Sequence, residues 1–198
     1  MAKGLLPVSY YILLLSIIIL LTIPAPPASG NPLTIYVSIP PQQWLAEAIA
    51  GNLVTTEMLL GSGQDPHTYE PTPRQIAGLT KADLYFTIGM PFENQLSTKL
   101  AKSSSNLKIV DSSRNINRRS DDEHSHAQAS EEHSSSRNAL DPHIWLSPIN
   151  LITIARNMTE SLAETDPGNR AAYEGKFNTL EQQLREHHHK IKTKLTPY

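Results

Sequence analysis

Two histidines in this sequence stand on the same stem, Asp65-Pro66-His67 in "GSGQDPHTYEPTPRQ" and Asp141-Pro142-His143 in "LDPHIWLSP". Imidazole is a ligand for borderline divalent ions, and zinc, nickel and copper suit it better than manganese, which prefers more carboxylate oxygen. Proline before each histidine fixes φ and limits how far the ring can wander. The aspartate two residues earlier can accept a hydrogen bond from the loop backbone or orient a ring nitrogen, as partners of metal-bound histidines do. A single Asp-Pro-His would read as an ordinary turn or helix opening. Two copies, with a further histidine-rich segment between them, point toward a metal.

The other candidates differ in kind. Glu70 lies close to His67 and can serve as a ligand or as a loop-capping carboxylate. His124, His126 and His133 sit among Asp121, Asp122, Glu123, Glu131 and Glu132 in "DDEHSHAQASEEH". That stretch reads either as an acidic linker or as a low-affinity metal collector, since ordering a flexible loop around an ion costs entropy. His187, His188 and His189 are consecutive, and neighbours on a helix point about 100° apart, so they form a solvated face and do not converge on one ion.

The elements that must position these residues are legible as an alternation. "LTIYVSI" (Leu33 to Ile39), Val54 to Leu60, Asp83 to Gly89 and Leu107 to Asp111 carry strand signals. Between them lie helices: one opened by Pro40-Pro41 with Trp44, Leu45, Ala48 and Ile49 on one face and Gly51 at its end, one capped by Thr72 with Pro73 in its first turn, and one over "PFENQLSTKLAK". Strands alternating with helices imply an α/β fold, a parallel-sheet lobe with flanking helices. His67 follows the second strand, at the carboxyl edge where such sheets bind ligands, and His143 can return to that edge after the fourth. Residues 112–139 lose all apolar periodicity and read as a mobile loop within a lobe spanning 31–165. An amphipathic helix with Leu151, Ile154, Ala155, Met158 and Leu162 follows. A long helix over 166–198 comes next, with Asp166 as cap and Pro167 in its first turn.

Composition narrows the functional classes. The 198 residues are 39% hydrophobic with a net charge of -2 and no dense Lys/Arg stripe, which leaves no electrostatic footprint for nucleic acid. Residues 1–30 read as a secretory signal: the apolar run from Tyr10 to Ile23 is shorter than the roughly 20 residues a bilayer needs, and Pro24, Pro26 and Pro27 stop it. Cleavage is expected near Ala28 or Gly30. The sequence has no cysteine, so disulfides, thiolate ligands and lipidation on an N-terminal cysteine are excluded for it. A soluble periplasmic or other extracytoplasmic protein is the expectation.

"GSGQDPHTYEPTPRQIAGLTKADLYFTIGMPFENQL", with "SIPPQQWLAEAIAGN" before it and "DPHIWLSPIN" after it, resembles the N-terminal half of the metal-binding solute-binding proteins of bacterial and archaeal zinc or manganese ABC importers. The resemblance implies two α/β lobes joined by one long helix, with the metal held between them. It assigns His67 and His143 as ligands from the first lobe and the helix opened by Asp166-Pro167 as the linker. It also implies a third histidine and a carboxylate from a second α/β lobe, which this sequence is expected to lack. Two imidazoles make half a tetrahedral zinc site, so weak zinc binding is expected of the chain. The implied ligand is Zn²⁺, with Mn²⁺ or iron as alternatives. The implied partner is an ABC permease in the cytoplasmic membrane, the chain acting as a monomer and not as an enzyme. A periplasmic zinc buffer working through the acidic histidine loop is the alternative. A zinc hydrolase is disfavoured, because neither a His-Glu-x-x-His helix nor a Gly-x-Ser-x-Gly elbow occurs.

Overall fold

A computed structural model describes residues 32–61, 63–66, 68–103, 106–118 and 141–196. The expected signal at 1–30, His67, and the loop histidines His124, His126 and His133 lie outside them. Four strands, β1 (Leu33–Val37), β2 (Val54–Met58), β3 (Leu84–Thr87) and β4 (Lys108–Asp111), form one parallel sheet in the order β2-β1-β3-β4. Central β1 pairs on both sides, Ile35 opposite Thr56 and Leu84, and its Ile35 and Val37 are fully buried. A parallel strand covered on both faces must be apolar on both, and "LTIYV" is.

Five helices connect and flank the strands: α1 (Pro40–Ala50), α2 (Pro73–Leu79), α3 (Pro91–Ser103), α4 (Pro148–Thr165) and α5 (Arg170–Leu195). The first four each begin on a proline, which lacks the N–H that a first turn would leave unpaired. Thr72 caps α2 as its sequence suggested: its hydroxyl accepts from the Gln75 amide, and the Gln75 side chain accepts from the Thr72 amide. Helices α1, α4 and α5 pack on one another over one face of the sheet. The chain reverses its direction across the sheet between β2 and β3, and right-handed crossovers then put α2 and α3 on the other face. Tyr36 of β1 points to that side, against Gly78 of α2.

Three local expectations are corrected. Trp44 is 49% exposed, whereas the inward stripe of α1 is Gln42, Leu45, Ala46, Ile49 and Ala50; Trp44 stands about 100° from Leu45, off that stripe. Asp166 does not cap the long helix. Its carboxylate accepts from the Asn169 side chain and the Tyr173 hydroxyl, each at 2.7 Å, so a 3-10 turn at Pro167–Asn169 precedes α5. Finally, the chain from Ser112 to Arg118, read as the start of a loop, is tied to the fold, with Ser112 and Ser113 buried.

At 1.5 Å per residue α5 is about 39 Å long. It buries Tyr173, Phe177, Leu180 and Leu184, whereas beyond them Ile191 and Leu195 are exposed. Among the described residues no helix is long and apolar enough to cross a membrane.

Gly78 gives a direct test of the packing on the α2 side. A Cβ there would lie 2.0 Å from the Tyr36 hydroxyl, so Gly78→Ala is expected to destabilise by about 2 kcal/mol. Gly175, inside α5 with nothing within 4 Å of its would-be Cβ, should gain about 0.5 kcal/mol from the same change. Urea denaturation of both variants checks this; equal effects would contradict the α2–sheet contact.

Candidate metal centre

All four strands end on one edge, and the strand order fixes how the loops there are arranged. The loop after β2 carries Asp65 and Pro66; the chain after β4 returns with Asp141, Pro142 and His143. Because β1 and β3 lie between β2 and β4, the loops after β1 (Ser38 and Ile39) and after β3 (Ile88 to Met90) form a floor at the middle of that edge. The crossing direction reverses between β1 and β3, which makes this the switch point where open α/β sheets bind ligands.

The second stem is hydrogen-bonded within itself. Asp141 Oδ1 accepts from the His143 backbone amide at 2.9 Å and lies 2.8 Å from His143 Nδ1. A carboxylate can only accept, so Nδ1 carries the ring proton and Nε2 keeps its lone pair for an ion. The His143 side chain is 53% exposed, and the Trp145 ring leans on it with centroids 5.2 Å apart. Trp145 is partly buried and lies in the 3-10 turn Ile144–Leu146 that leads into α4, where Ile144 is the buried residue.

The first stem is pinned on either side of His67. The Thr68 amide and hydroxyl both donate to Asp65, each at 3.3 Å. Tyr69 is buried edge-on to Phe92 at 4.9 Å and donates to the Leu59 carbonyl at 2.7 Å. Glu70 is exposed and lines a cleft of about 360 Å³ with Tyr69, Phe92 and Lys99, on the α2/α3 side. On α5, His187 and His189 are exposed and His188 is partly buried. Among the described residues no three His, Asp or Glu side chains converge on a point.

Sequence reasoning missed the residues that hold the floor. Gln42 Oε1 accepts from the Ser38 and Ile39 amides at 3.0 and 3.3 Å, while its Nε2 donates to the Phe86 and Thr87 carbonyls and to Ser112 Oγ. One buried amide thus ties the ends of β1, β3 and β4 together. Glu93, 3% exposed, accepts from the amides of Ile88, Gly89 and Met90 at 3.0, 2.6 and 2.9 Å. Burial pushes its carboxyl above the ordinary value, against the pull of hydrogen bonds from Ser38 and those amides. Arg118 closes the other side by donating to the Ile88 carbonyl and Ser113 Oγ, both at 2.6 Å. Asn157 of α4 donates to the Ser112 and Arg114 carbonyls. The available signal was Glu93 at the third helical position behind Met90-Pro91, where a carboxylate reaches back to the preceding amides.

Comparison with known proteins follows from this geometry. A family model described as the periplasmic component A of a zinc-uptake complex matches residues 35–198. The high-affinity zinc uptake system protein ZnuA of Bacillus subtilis is 29% identical over 148 residues, 74% of this chain and 46% of that protein. The manganese ABC transporter substrate-binding lipoprotein scaA of Streptococcus gordonii is 30% identical over 146 residues, covering 71% and 44%. Among solved structures, a crystal structure of ZnuA aligns with a TM-score of 0.67 at 36% identity, covering 79% of this chain and 56% of that one. A zinc-bound ZnuA deletion mutant aligns with a TM-score of 0.71 at 36% identity, covering 84% and 60%. The chain spans about half the length of the curated relatives it matches.

Proposed function

Starting from the premise that the chain belongs to the zinc-uptake component A family, we propose that it captures a divalent transition-metal ion outside the cytoplasmic membrane and passes it to the permease of an ABC importer. The observation that carries this reading is the Asp141–His143 clamp, which fixes a half-exposed imidazole through Nδ1. His67, on the loop after β2, is the second ligand from this lobe, and zinc is the metal that imidazole ligands favour, with manganese the alternative. Relatives named for zinc and for manganese both match the chain, so the choice rests on ligand chemistry. Binding, not catalysis, is the role: among the described residues the second stem offers an imidazole with an orienting carboxylate.

Capture strips water from the ion, and release requires that docking on the permease loosen the shell. The floor is hydrogen-bonded on both sides, so small shifts of the two stems are the movement this lobe allows. His124, His126 and His133 act upstream as a collector of modest affinity. Several matching relatives are named as lipoproteins, while this sequence has no cysteine; an exported, soluble form is the proposed state.

Calorimetric titration with zinc and then with manganese tests the reading, and the absence of saturable binding of either would end it. Asp141→Asn is expected to weaken zinc binding by about tenfold without altering the fold, because a neutral amide oxygen accepts from Nδ1 more weakly than a carboxylate and orients the ring less firmly. A change of less than twofold would mean that Asp141 only closes the turn.

A further inference from the structure

The imidazole of His143 stands on an exposed stem, and the Asp141 carboxylate alone holds it loosely. That carboxylate accepts from Nδ1 at 2.8 Å, but both side chains are about half exposed, where water competes for the bond. A second contact to the ring comes from Trp145. Its indole is partly buried against the hydrophobic core and meets the imidazole with ring centroids 5.2 Å apart and planes tilted by 57°. Aromatic rings favour tilted pairs at this separation over stacked ones. The backbone fixes the two residues relative to each other. Between them Ile144 is buried, its amide donates to the Pro142 carbonyl at 2.8 Å, and its carbonyl accepts from the Asn150 side chain of α4 at 3.0 Å. The Leu146 amide donates to the His143 carbonyl at 3.3 Å, which closes the turn over the same three residues. The indole is thus a brace set in the fold, whereas the carboxylate belongs to the stem itself.

We propose that Trp145 is a positioning residue for His143: the core-anchored indole braces the imidazole while Asp141 holds its Nδ1, so that the ring is set before a metal ion arrives and is not ordered by it. Fixing a ligand in advance removes the entropy cost of ordering it during capture, which raises affinity without any new bond to the ion. The role rests on the metal-capture reading above, with His143 as the ligand it serves.

The test uses the full chain with Trp145→Leu and Trp145→Phe, each followed by calorimetric titration with zinc and by thermal melting. Both variants take an indole from the edge of the core, and both are expected to melt roughly 5 °C below the unmodified protein. Only Trp145→Leu also removes the aromatic ring beside His143. It is expected to bind zinc about fivefold more weakly, the size of one aromatic pair, while Trp145→Phe restores affinity to within twofold of the unmodified protein. A purely structural role would shift both melting temperatures and leave both affinities alone, or lower them equally, and either result overturns the proposal. Through-space NMR contacts between the His143 and Trp145 rings in the unmodified, zinc-free protein give a decision that needs no variant. They are expected to be present before zinc is added, and their absence overturns the proposal even if neither variant folds. If the unmodified protein shows no saturable zinc binding, the metal-capture reading falls and takes this role with it. Zinc binding that Trp145→Leu leaves unchanged removes the role of Trp145 and leaves the metal-capture reading standing.

Discussion

Replacing His143 by alanine is expected to lower zinc affinity by at least about 100-fold, the upper end of what losing even an outer partner of a metal ligand costs. The ring is held by Asp141 through Nδ1, which makes Nε2 the atom proposed to coordinate, and the side chain is more than half exposed. Its removal therefore takes away a ligand and almost no packing, so stability should stay within about 0.5 kcal/mol of the parent. Trp145, in contact with the ring, makes the titration visible by fluorescence, with Trp44 the only other tryptophan to subtract. Deletion of residues 121–133 is the companion measurement: it should slow capture at low zinc and leave equilibrium affinity nearly unchanged. The opposite pattern, with affinity abolished by the deletion and untouched by His143→Ala, would replace importer delivery by a zinc buffer that works through the loop alone.

Gln42→Leu is expected to cost about 4 kcal/mol of stability. Leucine fills a similar volume, so the loss does not come from a cavity. It comes from stranding the Ser38 and Ile39 amides, the Phe86 and Thr87 carbonyls and Ser112 Oγ in a place sealed from water. Some of these groups keep a second partner, as Ser112 Oγ does with the Thr87 carbonyl, which holds the cost below the sum of five separate losses. Gln43, one residue on, makes only an exposed bond to Glu47 and should tolerate alanine within about 0.5 kcal/mol. Urea unfolding of the pair tests the hub directly, and a Gln42→Leu protein as stable as the parent would show that the three strand ends are not held by this amide.

The Asp-Pro-His stems, the strand–helix alternation and the Thr72 cap were all readable because each depends on residues within one turn or one strand of each other. The same local reading placed Trp44 in the core and Asp166 on the helix end, and both were decided by distant partners. The inward place on α1 went to a glutamine because buried strand ends needed its amide more than they needed an indole's area. Asp166 turned sideways because Tyr173, whose phenol is pushed above its ordinary value by burial and by that carboxylate, lies about two helical turns beyond it. Likewise Ser112 to Arg118 had the composition of a loop, and distant partners tied it down: Arg118 donates to the Ile88 carbonyl, and Asn157 of α4 donates to the Ser112 and Arg114 carbonyls.

By itself, then, the sequence determined the elements, the parallel class of the sheet and the closed Asp-Pro-His turn of the second stem, since propensity, capping and turn geometry are short-range properties. The same short range holds for Glu93, which accepts from amides three to five residues before it. The order β2-β1-β3-β4 and the floor that it sets at the carboxyl edge were decided only by the tertiary structure. Strand pairing and the buried Gln42 amide join residues 21 to 70 positions apart, as Gln42 does with Phe86 and Ser112, and no local pattern encodes which of them will meet.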